Sequence, residues 1–144
     1  MNLTELVKSV TAATGFTHAA SVQVLSVESG IVSLRMPRKP ELLQFNGFFH
    51  GGAVTGLADH AAGAAATTAL PQGRIAVTAD LHVNFLKPAN GSSITATARA
   101  VSVSSTLCVV TVEVTTEKEG NSVVCAIATA TLRSVEAPQL KSAP

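Results

Sequence analysis

The chain has 144 residues, of which 47% are apolar and only 13% charged, which fits one domain with a substantial core and excludes disorder. A formal net charge of +1, no Trp, no Tyr and five Phe exclude both the electrostatic footprint and the stacking surface of a nucleic-acid binder. So few charges leave apolar surface that must be hidden, in a membrane, a core or an assembly.

Leu3, Leu6, Val7 and Val10 recur at i, i+3, i+4 and i+7 and predict a short amphipathic helix over about 3–14, ending near Gly15. The start, MNLTELVKSV, carries Glu5 before any apolar run, unlike a secretory leader. Cys108 and Cys125 have no paired spacing and read as buried thiols of a reducing compartment, so a cytoplasmic location is expected. Residues 19–27 and 31–36 alternate apolar and polar around Glu28-Ser29-Gly30, a hairpin pattern. Residues 37–49 form a loop punctuated by Pro37 and Pro40.

Residues 52–69 read as a helix, apolar nearly all round and expected to be buried on every side. From Leu42 to Gly73 the only formal charge is Asp59, so the stretch resembles a membrane span. Gly47, Gly51, Gly52 and Pro71 interrupt it, and an Asp at a span centre costs about 2.5–3.5 kcal/mol that Ala and Gly do not offset. The apolar excess is therefore assigned to a core helix and to subunit contacts, with a dimer at least. Four stretches then follow, about 75–86, 92–103, 107–117 and 122–133, rich in Val, Thr, Ile and Ala and separated by short turns. No helical pattern separates them, so long antiparallel strands are expected rather than parallel units. The tail, about 136–144, is expected to fray. Together these elements form a single α+β domain over 1–144, a curved antiparallel sheet wrapped around one long central helix.

The segment Gln44-Phe45-Asn46-Gly47-Phe48-Phe49-His50-Gly51-Gly52 and the following helix carry the chemistry. Asp59, one of two Asp in the chain, sits inside the most apolar helix. A carboxylate there must pair, raise its pKa or face a wet pocket; the alternative is a structural Asp bonded to backbone or to a neighbouring subunit. Thr55, Asp59, Gly63 and Thr67 follow at i+4 steps as a row of polar or tiny side chains, and Gly63 leaves room for a slender ligand beside the carboxylate. Leu57, Ala58, Ala61 and Ala65 occupy the faces suited to packing under a sheet.

Gly51-Gly52 let backbone approach a ligand at the helix N-terminus, whose free N–H groups stabilise an oxyanion; on its own the pair would be a tight turn. His50 either orients the loop or lines the site. His60, about 100° round the helix from Asp59, reads as structural. The segment holds no Ser or Cys to act as a triad nucleophile. A metal would need three convergent ligands; Asp80, His82 and Asn84 share a strand face that reads as polar or interfacial, and no metal is expected.

The string HGGAVTGLAD, led by Gln44 and Gly47, and TADLHVNFLKPA at 78–89 resemble the hotdog-fold acyl-CoA thioesterases, nearest the phenylacetate-degradation type and the 4-hydroxybenzoyl-CoA thioesterases. The likeness covers about residues 40–90. It implies the hotdog fold, a dimer joined through the strand after the helix and often doubled to a homotetramer, with sites at the subunit interface. It also implies hydrolysis of an acyl-CoA, aryl, phenylacetyl-type or medium-chain, to a free acid and coenzyme A, with no cofactor beyond the coenzyme A of the substrate.

By the same resemblance Asp59 of one subunit acts as general base or nucleophile, and the Gly51 N–H of the other polarises the thioester carbonyl. Gln44 places the water or acyl group and Thr78 helps to hold the attacking water; apart from the resemblance, His50, Gly52, Asn46 and Gly63 are the candidate substrate contacts. The sequence departs from the family at 101–106, VSVSST, where basic residues often meet coenzyme A phosphates; Lys87, Arg35, Arg38 or Lys39 are the candidate substitutes elsewhere in the chain. Phe45, Phe48 and Phe49 suit an apolar pocket or plain packing. Two rival readings are a hotdog hydratase or dehydratase, which needs a convergent His–acid pair, and an acyl-CoA-binding module without catalysis.

Overall fold

The computed structural model describes residues 1–138, so the last part of the tail expected to fray, 139–144, lies outside the described residues. Helix α1 (Leu3–Ala12) opens on a capping box: the Asn2 side chain accepts from the Glu5 N–H at 2.8 Å, and the Glu5 carboxylate accepts from the Asn2 N–H at 3.1 Å. It stops short of the predicted end. Gly15, at φ +111°, turns the chain into a one-turn helix, α2 (Phe16–Ala19). The alternation read from residue 19 is therefore helix and turn at its start, and strand β1 begins only at Gln23 (Gln23–Glu28).

Strand β2 (Ile31–Pro37) completes the hairpin around Gly30, and the loop after it contains one short helical turn at Pro40–Leu42. The long helix α3 spans Gly51–Ala69. The four later strands are β3 (Arg74–Phe85), β4 (Ser93–Val103), β5 (Leu107–Lys118) and β6 (Asn121–Glu136). Strand β6 runs into the stretch expected to fray: Glu136 pairs with Arg74, and the Ala137 N–H donates to the Gly73 carbonyl at 2.9 Å. Backbone pairing, which composition does not signal, holds those residues.

The strands form one antiparallel sheet in the order β1-β2-β4-β5-β6-β3, curved around α3. Strand alternation fills its inner face with Leu34 and Met36 of β2, Ile94 and Ala96 of β4, Val110 and Val114 of β5, and Ala130 and Leu132 of β6, all buried. Leu57, Ala58, Ala61 and Ala65 of α3 pack against this face, and the small alanines let helix and sheet approach closely. Cys108 and Cys125 are buried free thiols, as read, and burial raises both thiol pKa values.

Burial of α3 is not complete on every side. Gly52, Thr55, Gly56, Asp59, His60, Gly63 and Thr67 form a stripe that the protomer leaves partly open. The apolar average of the helix masked this stripe because glycines supply much of it. A β-bulge in β3 then sets what faces it. Thr78 pairs with Leu132 and Asp80 with Thr131, so Ala79 is the extra residue. Thr78 before the bulge and Leu81 after it both face the helix side, which strict alternation forbids for residues three apart.

Candidate functional site

The carboxylate predicted to be chemically active is half-buried on α3 and accepts a hydrogen bond at Oδ1 from the Thr78 hydroxyl, 2.7 Å away. The pair opens into a cavity of about 300 Å³ between α3, β3 and α1. Asp59, Gly63 and Thr67 of the predicted row all line it. A Cβ added at Gly63 would meet nothing within 4 Å, so the space beside the carboxylate is real. The Thr67 hydroxyl accepts from the Ala76 N–H at 3.0 Å and fixes the start of β3 against the helix.

His60 lines the same cavity, although its angular offset suggested another face; the cavity spans both faces. Its Nε2 lies 3.0 Å from the hydroxyl of buried Thr11 on α1. Burial lowers the His60 pKa below its ordinary 6.5, against the opposing charge of Asp59, so the ring is neutral near pH 7. The remaining wall, with Leu6, Val7 and Val10, comes from α1. The amphipathic spacing of that helix signalled a packed face, but nothing in the sequence tied it to Asp59.

A second group assembles at the N-terminus of α3. His50 is the N-cap, and its Nδ1 accepts from the Gly52 N–H at 2.8 Å. The imidazole thus orients the loop, and the Gly52 N–H is engaged within the helix cap. The Gly51 N–H, one of the orphan donors of a helix start, donates to no atom of the described residues. Gly51 and Gln44 line a cavity of about 440 Å³ together with Phe48, Phe49, Phe85 and Lys87. The Asn46 side chain accepts from the Phe48 N–H at 3.2 Å, and the Gln44 N–H donates to the Phe48 carbonyl at 2.8 Å, so Asn46 shapes the turn that carries Gln44.

Among the three loop phenylalanines, Phe49 is core at 2% exposure while Phe45 is 99% exposed. Of the basic candidates, Arg38 donates to the Gly47 and Gly91 carbonyls and Lys39 to the Ala19 carbonyl. Lys87 is exposed and lines the cavity of Gly51.

The two groups do not meet within one protomer. Gly51 and Asp59 are eight residues apart on α3, about 12 Å along the axis, too far to act on one carbonyl carbon. On the outer face of the sheet, His82 and Asn84 border a polar groove with Arg99, Thr111 and Glu113. Among the described residues no three His, Cys, Asp or Glu side chains converge as a metal set, and no helix is long and apolar enough to cross a membrane.

Comparison with known proteins places the fold in a family. The family described as the Thioesterase superfamily matches residues 46–123. The 1,4-dihydroxy-2-naphthoyl-CoA hydrolase of Listeria monocytogenes is 27% identical over 73% of this chain and 85% of its own length. The crystal structure of a thioesterase family protein from Silicibacter pomeroyi superposes with a TM-score of 0.90 at 29% identity, covering 94% of this chain and all of that one. The PaaI protein of the E. coli phenylacetic acid degradation operon shares the fold, with a TM-score of 0.82 at 19% identity over 92% of this chain and 93% of that one.

Proposed function

The chain belongs to the thioesterase superfamily, and on that premise we propose that it hydrolyses an acyl-CoA thioester to the free acid and coenzyme A, with Asp59 as general base. The observation that carries this reading is the Thr78-oriented carboxylate opening onto a mostly apolar cavity. One carboxylate oxygen is engaged by the Thr78 hydroxyl, leaving the other to take a proton from water. The water oxygen bonds to the thioester carbon, the carbonyl electrons move onto oxygen, and the tetrahedral intermediate collapses with loss of the thiolate. The proton held by Asp59 returns to sulfur.

The oxyanion donor is the Gly51 N–H of a second copy, with Gln44 of that copy beside the acyl carbon. Two observations support the dimer: the separation of Gly51 from Asp59 on one helix, and the position of β3. This strand of 12 residues lies at the sheet edge, where unpaired backbone groups await another strand. Pairing of two β3 edges brings each Asp59 toward the other copy's α3 N-terminus, and association of two dimers gives the proposed tetramer. Lys87 is the cation proposed to meet the coenzyme A phosphates. The buried free thiols support a cytoplasmic setting.

The test is thiol release, followed colorimetrically, from aryl-, phenylacetyl- and straight-chain acyl-CoA substrates. Release from at least one class, lost in Asp59→Asn, is the expected result. Full activity in a folded Asp59→Ala protein overturns the mechanism, and binding without release from any substrate overturns the activity.

A further inference from the structure

We propose that helix α1 is the closing wall of the acyl pocket and that the Thr11–His60 contact positions it, so that α1 sets the length of the acyl group the enzyme accepts. The inference rests on the proposed thioesterase reading and concerns an apolar, unbranched acyl group. The pocket begins at the Asp59–Thr78 pair and runs along α3 past Gly63, whose missing side chain leaves the passage open. Beyond that point its walls are aliphatic, with Leu6, Val7 and Val10 on one side and Ile75 and Ala76 on the other. Thr67, the polar residue at that depth, has its hydroxyl engaged by the Ala76 N–H.

The chemistry of the wall follows from how α1 is held. Val7 is buried at 2% exposure, whereas Val10, one turn on and lining the same pocket, is 49% exposed. An apolar side chain half in water beside an apolar cavity is placed to gain contact when an acyl chain fills that cavity. The pin is polar: Thr11, 2% exposed, is bonded to an imidazole of the catalytic helix 49 residues away in sequence. Leaving either partner of this part-buried bond unsatisfied is costly, so the contact fixes the distance between α1 and α3. That distance sets how much space an acyl group can fill between the two helices.

The experiment uses the full chain and two readouts across saturated straight-chain acyl groups of increasing length. One is kcat/KM for thiol release from the acyl-CoA series; the other is calorimetric affinity for non-hydrolysable S-alkyl-CoA thioethers. In the wild type both rise by about fourfold per added methylene up to a break in the series. Val10→Phe, at a half-exposed position, moves the break to shorter chains and cuts the ratio of long- to short-chain kcat/KM by about tenfold or more. His60→Ala and Thr11→Val blur the break by raising KM for the longer chains more than they change kcat, and His60→Gln, which keeps a hydrogen-bonding atom near Nε2, restores it. An absent break in the wild type, or one unmoved by both Val10→Phe and His60→Ala, overturns the proposal. Thioether binding that follows the pattern without hydrolysis sinks the proposed activity and leaves the pocket standing; hydrolysis with an unmoved break does the reverse.

Discussion

Asp59 and Thr78 illustrate how much one hydrogen bond decides. The Thr78 hydroxyl, 2.7 Å from Oδ1, orients the carboxylate and spends one of its oxygens. Asp59→Asn keeps the shape but removes the proposed base, so hydrolysis is expected to fall by about 10²–10⁴-fold with circular dichroism unchanged. Thr78→Val leaves the base but frees its orientation, and kcat is expected to fall about tenfold with a smaller change in KM. His60 makes a separate prediction for stability. Its folded pKa lies below 6.5, so the unfolded chain takes up the proton first. The His60 contribution is therefore complete above about pH 6.5 and is lost as pH falls below it. Urea midpoints measured from neutral pH to about pH 5 should drop more steeply in the wild type than in His60→Gln; parallel curves would show that the ring does not titrate as described.

At the scale of elements, α3 trades stability for space. Gly63 sits in a helix interior with nothing within 4 Å of an added Cβ, so Gly63→Ala should stabilise the fold by about 0.5–1 kcal/mol. The same methyl group narrows the pocket beside Asp59. Thermal melts should therefore show a higher Tm in Gly63→Ala while kcat/KM for bulky acyl groups falls; a rise in both would remove Gly63 from the pocket. The helix itself, the hairpin and the four long strands were legible because periodicity and turn residues are local signals. The row bearing Asp59 was legible for the same reason. What escaped was tertiary. The bulge at Ala79 has no turn residue to mark it, yet it alone lets Thr78 and Leu81 face the same side. The meeting of Thr11 with His60 joins elements whose separate patterns said only that each was packed. The one-turn α2 was hidden because Ala19 and Ala20 fit an alternating strand as readily as a turn, and its Phe16 covers Gly56 on the open stripe of α3.

The whole molecule poses the question that a single protomer leaves open, since Gly51, the proposed donor, and Asp59, the proposed base, lie about 12 Å apart on one helix. If a dimer completes the site, each active centre takes its base from one copy and its donor from the other. Gly51→Pro isolates the donor. Proline removes the N–H and is favoured at the first position of a helix; the Cβ it adds meets only the Phe85 side chain, at 3.4 Å, and it follows His50, whose φ −61° and ψ 140° already suit a residue before proline. The variant should fold with an unchanged melting profile and lose about 10²–10³ in kcat. Alone, each of Gly51→Pro and Asp59→Ala is expected to keep at most about 1% of wild-type activity. When the two are unfolded together and refolded, half the dimers are mixed. Each mixed dimer has one centre with both residues intact and one with neither, so activity should return to about a quarter of wild type. Mixing folded dimers without exchange should return none, which controls for contamination. If co-refolded material has the mass of the wild-type assembly in light scattering yet stays inactive, base and donor come from the same chain and the shared site is wrong.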